Sequence, residues 1–282
     1  MSRAPRMGAR AAASVARLRA LVVLDVLSAW RYRLVAVVVA VAAAFGVLVG
    51  FVLPADVAPA RAAALALSPF VTAEAPAPVV LLPAAHAGPF NTRFVPILLM
   101  VDVALLGFLF GAVMVLQDVA AGAVAALRVT PARPWEYLAS KLLVNLGLVG
   151  LNAALLVGLG APRLLAVPAL WSLLLLTATG MCALGLALAP RYRSLSEFFY
   201  PLAAVGLVAA APLYPYTNPA VQFAWTWWIP TWHLGFGVDA AAFGGPSATV
   251  RTAHGFTAAF AVISVLAALR VTRRVVFQEH GR

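Results

Sequence analysis

Residues 113–143 read VMVLQDVAAGAVAALRVTPARPWEYLASKLL, a compact, partly charged segment set between two uncharged runs. Asp118, Arg128, Arg133, Glu136 and Lys141 fall inside it, whereas the flanking stretches 95–116 and 142–161 carry a single charge, Asp102. Apolar runs of this length are long enough to cross a bilayer as helices. The stretch therefore reads as a short surface segment, 117–141, hung between two membrane spans.

The rest of the chain fits that frame. Of its 282 residues, 64% are hydrophobic and 10% charged, and the mean hydropathy is +0.98. Soluble domains carry about 25% charged residues, so this composition could not cover a water-facing surface. The net charge of +11 does not point to nucleic acid, because the basic residues cluster at the ends of apolar runs, as membrane anchors do. The single cysteine, Cys182, sits inside an apolar run and reads as a buried structural thiol. His86, His233, His254 and His280 show no metal-ligand spacing.

From the N-terminus, residues 1–13 are basic and alanine-rich and read as disordered. Residues 14–30 mix Leu18, Leu21, Val22 and Leu24 with Asp25 and arginines, the pattern of an amphipathic helix lying in the membrane interface. An early start to the first span is the alternative. Spans are expected at 34–53, 95–116, 142–161, 164–188, 196–213 and 254–270, the third continuous with a helix start at Pro134. The long run at 34–53 reads as an uncleaved anchor. Residues 54–94, rich in Ala and Pro, read as an external loop with a short helix near 61–67. Between 214 and 250, Pro215, Pro219 and Pro230 break a segment crowded by Trp225, Trp227, Trp228 and Trp232. It reads either as shallow re-entrant helices entering from outside or as an amphipathic loop packed on the bundle.

With both termini in the cytoplasm, only Arg61, Arg93, Arg163 and Arg251 of the 20 basic residues fall outside. The positive-inside rule thus predicts an all-α membrane protein with six transmembrane helices, and places 117–141 in the cytoplasm. No G-x-x-x-x-G-K-[ST] phosphate loop occurs, since the only lysine, Lys141, lies between Ser140 and Leu142. No G-x-S-x-G or other nucleophile pattern occurs either. The chain carries no catalytic, cofactor or metal motif of its own.

Within 117–141, Asp118 reads as the start of a short helix ending near Arg128, and Pro131 disfavours helix at Thr130. Pro134 suits a first helical position, with Glu136 facing the positive end of the helix dipole. Trp135 and Tyr137 are placed as rings at the membrane boundary, and Lys141 can snorkel. These residues alone also fit a well-capped helix start with interfacial anchors and no partner.

The same stretch resembles the loop between the second and third spans of type-2 ABC exporter permeases. There an acidic residue, a glycine-containing helix and a [VT]-x-P…E-[YF]-x-x-x-K element follow one another. The matching positions here are Asp118, Gly122, Thr130-Pro131, Glu136-Tyr137 and Lys141. One departure is Gln117, where the family often carries glutamate. The six-span plan, the interfacial N-terminal helix and the aromatic segment before the last span extend the resemblance over nearly the whole chain. It implies a drug-export-like permease of the plasma or inner membrane that dimerises, with an identical or a different permease chain. It also implies cytoplasmic ATPase subunits that use ATP and Mg and contact Gln117, Asp118, Gly122, Arg128, Thr130, Pro131, Arg133, Pro134, Trp135, Glu136, Tyr137 and Lys141.

Inside the bilayer, Asp102 is a costly carboxylate that reads either as part of a substrate path or as a structural hydrogen-bonding group. Asn145 and Asn152, seven residues apart, share a helix face and read as interhelical glue or as substrate contacts. Glu197, with Arg191 and Arg193 nearby, reads as a local ion pair. An ion-coupled carrier centred on Asp102, a non-transporting scaffold and an integral membrane enzyme acting on lipids are the rival classes. The latter needs a cluster of His, Asp or Glu at one membrane face.

Overall fold

In a computed structural model of the chain, the described residues are 4–53, 91–217 and 223–277. Among them there are helices and turns but no strand, and six helical segments are long and apolar enough to cross a membrane. The protein is an all-α, multi-pass membrane protein. The expected loop over 54–90, with its short helix near 61–67, lies outside the described residues.

Helix α1 (Ala4–Arg31) begins ten residues earlier than the amphipathic pattern suggests, so residues 4–13 are helical rather than disordered. The chain turns at Arg33, which adopts a left-handed backbone (φ 57°), and α2 (Leu34–Val47) then runs on through a π-helical turn to Val52. Leu53 is extended before Pro54, as expected for a residue preceding proline. The second span, α3 (Phe94–Ala120), carries the helix past Asp118. Asp118 therefore closes α3 instead of opening the short helix, which is α4 (Ala123–Arg128) and follows Gly122 at φ 69°. The third span, α5 (Pro134–Gly160), starts at Pro134 as the sequence predicts. The fourth, α6 (Pro168–Leu188), starts later than residue 164, because a 3-10 segment (Pro162–Ala166) precedes Pro168 at the first helical turn.

Helix α7 (Leu195–Ala210) is capped by Ser194, whose hydroxyl accepts the Glu197 N–H, while Glu197 accepts the Arg193 N–H at 2.9 Å. Among the described residues Glu197 forms this reciprocal cap instead of the expected ion pair. A short α8 (Leu213–Thr217) follows. The aromatic segment then contains α9 (Pro230–Phe243), and the last span, α10 (Ser247–Thr272), begins seven residues before the sequence placed it. Gly244 in the left-handed region (φ 79°) makes the turn between them.

Membrane helices must satisfy their own backbone polar groups and gain stability by close packing. The α3–α6 crossing shows how. A Cβ on Gly111 would lie 2.5 Å from the Cys182 carbonyl oxygen, and one on Gly185 would lie 2.1 Å from that of Phe108. Cys182 is fully buried at this crossing. Helix α9 packs against α3, α6 and α10, with Gly235 against Met100 and Gly237 against Leu173 and Ala253. Its His233 stacks on Phe256 at 4.0 Å. At 1.5 Å per residue, Phe256 is about 13 Å along α10 from Ser247. Helix α9 therefore lies beside the last span from that level to the turn at Gly244.

Candidate functional site

The end of the bundle that bears most of the basic residues carries a set of buried charges joining α1, α3 and α5. On α1, Ser14, Arg17, Leu21 and Asp25 recur at helical spacing and face the bundle. On α5, Glu136, Tyr137, Ser140 and Lys141 fill its first two turns. The two helices meet in two clasps.

The first clasp surrounds Glu136, which is fully buried. It accepts Nε and Nη2 of Arg17, each at 3.0 Å, the hydroxyl of Ser14, and the backbone N–H of Arg133 at 3.0 Å. A carboxylate taking a two-pronged arginine and a helix-start N–H has its lone pairs well occupied. The second clasp centres on Lys141, 3% exposed, whose ammonium lies 2.5 Å from Asp25 and 2.7 Å from Asp118. Ser140 donates its hydroxyl to Asp25, and Tyr137 donates to Asp118 at 2.8 Å. Burial pushes the Asp25 carboxyl above its ordinary range, against the opposing pull of Lys141.

This geometry divides the sequence-predicted residues into two groups. Glu136, Tyr137 and Lys141 face inward. Lys141 does not snorkel and Tyr137 is not an interfacial ring, because two acidic side chains inside the bundle hold them. Gln117 and Asp118 are half-buried, as is Pro134. Gly122, Arg128, Thr130, Pro131, Arg133 and Trp135 remain on the outside, joined there by Val129, which is 87% exposed. Helix α4 has no buried residue. Arg128 ties it to the far end of the last span by donating to the Val275 carbonyl at 3.0 Å.

Ser14, Arg17, Asp25 and Ser140 complete the cluster, and of these only Asp25 stands out in the sequence, as a charge within the amphipathic pattern of 14–30. Their partners lie 115 to 122 residues away in the chain, beyond any local pattern. A polar stripe on the inward face of α1 was the only available signal.

In the membrane region, Asn152 donates to Asp102 and Asn145 donates to the Gly107 carbonyl at 3.0 Å. All three polar side chains are buried and join α5 to α3. Among the described residues no group of three or more His, Cys, Asp or Glu is placed to hold a metal ion. No protein-family model, curated protein or solved structure matches this chain.

Proposed function

We propose that the chain is the membrane-spanning subunit of an ATP-driven exporter, working as a dimer in the plasma or inner membrane with separate ATPase subunits. The observation that carries this reading is the mechanical arrangement of α4. A short helix with no buried residue is attached at one end to α3 and, through Arg128, to the Val275 carbonyl just beyond α10. The loop after it leads into α5, whose start is locked to α1 and α3 by two buried charge clasps.

A partner pressing on α4, Val129, Arg133 and Trp135 would move α1, α3, α5 and α10 together. Rigid charge clasps suit that task better than apolar contacts, because they resist sliding. Walls with few intramembrane charges suit amphipathic, drug- or lipid-like cargo. ATP and Mg would be used by the partner, not by this chain.

The test separates outward residues from inward ones. Arg133→Glu with Trp135→Ala should abolish association with the ATPase subunit while leaving the inserted protein's thermal stability within about 0.5 kcal/mol, the usual range for surface changes. Equal loss of stability and association would instead favour the anchor reading.

A further inference from the structure

A cavity of about 460 Å³ lies between α1 and the α3–α4 turn, within the size range of small-molecule sites. Its walls are apolar: Leu21 and Leu24 from α1, Ala126 and Leu127 from α4. Asp25, Asp118 and Lys141 also line it. The charges do not balance there. Arg17 is matched by Glu136, but two carboxylates share the single ammonium of Lys141. Both contacts to Asp118, from Tyr137 and from Lys141, fall on Oδ2. Its Oδ1 has no partner among the described residues, and the side chain is 18% exposed.

We propose that this cavity binds an amphipathic organic cation, with a protonated amine donating to Asp118 Oδ1 and an apolar body lying against Leu21, Leu24 and Leu127. One positive charge neutralises the surplus, and a hydrocarbon or ring system covers the walls. An anion would face two carboxylates, and a neutral apolar molecule would leave the free carboxylate oxygen unmatched. A protonated amine can come from a soluble amphiphile or from the ammonium of a phosphatidylethanolamine headgroup. The two sources share the recognition chemistry and differ in how they arrive. The site exists in the isolated chain, so it stands or falls separately from any coupling to an ATPase.

The experiment uses the full chain in nanodiscs of phosphatidylcholine, titrated with the fluorescent amine dansylcadaverine. Its N-acetylated form, which lacks the charge, is the control. Wild type should bind the amine at least about tenfold more tightly than the acetylated probe, the size of one charge-assisted hydrogen bond. Asp118→Asn, which keeps the shape and removes the surplus charge, should erase that difference. Ala126→Trp, at an exposed position of α4, should block the cavity and weaken both probes. It decides the matter if Asp118→Asn does not assemble.

Nanodiscs containing phosphatidylethanolamine distinguish the sources. Weakened dansylcadaverine binding there identifies the lipid headgroup as occupant, and unchanged binding identifies a soluble amine. Failure of wild type to bind the amine would overturn the proposal. So would equal binding of the acetylated probe, or affinity unchanged by Ala126→Trp.

Discussion

Lys141 is the residue on which the basic end of the bundle turns. It is the only lysine in the chain, and it sits buried between Asp25 and Asp118 at 2.5 and 2.7 Å. Removing one member of a buried ion pair leaves its partner's charge unmatched, at a typical cost of about 3–5 kcal/mol. Lys141→Met should therefore cost that much, as read by thermal unfolding in detergent. Asp25→Asn should cost clearly less, because it leaves one carboxylate with one ammonium and Ser140 still has an acceptor. Equal losses would mean that the cluster is held by shape rather than charge.

The raised Asp25 carboxyl adds a pH signature. A group whose value is higher in the folded state contributes stability that is fully present below its unfolded value and is lost as pH rises through the folded one. Wild type should therefore gain stability relative to Asp25→Asn as pH falls from neutral toward about 4. A gap that shrinks on acidification would contradict the geometry given to this site.

At the scale of elements, the close crossings and the two clasps make separable predictions. Gly185 lies where any side chain would strike the Phe108 backbone, so Gly185→Ala should cost about 1–3 kcal/mol as overpacking. Gly147 has open space around it, and Gly147→Ala serves as the tolerated control in the same unfolding assay. Glu136→Gln should free the N-terminal half of α1 while the Asp25–Lys141 clasp keeps the other half in place. Hydrogen exchange should rise before residue 20 and change little after residue 25. Release of all of α1 would show that one clasp supports both halves.

The elements also show what the sequence could and could not convey. The spans were legible because uncharged runs of this length have few other uses, and Pro134 marked the start of α5 because proline suits a first turn. Pro168 carries the same signal and starts α6, although the apolar run around it begins earlier, at Leu164. Ser194-x-x-Glu197 is a capping-box pattern, obscured by the arginines around it. The clasps were not legible, because nothing local distinguishes an aspartate that faces lysine across the bundle from one that faces solvent. Asn145 and Asn152 were legible as a shared face, and both donate toward α3.

For the whole molecule, charge distribution predicts orientation. The α4 end should face the cytoplasm, since the order of spans in the sequence assigns only four of the 20 basic residues to the other side. The native Cys182 is fully buried and leaves a clean background for labelling. A membrane-impermeant maleimide should reach Arg163→Cys in intact cells and Val129→Cys only after lysis. The reverse pattern would invert the topology and remove α4 from reach of any ATP-driven partner.

The most direct test of the exporter reading is purification of the full chain from its native membrane, followed by ATPase assay and sequencing of whatever co-purifies. The predicted result is a stoichiometric phosphate-loop ATPase whose activity and association are lost together in Arg133→Glu with Trp135→Ala. A stable, correctly inserted chain that purifies alone in every detergent, with no ATPase activity, would contradict it.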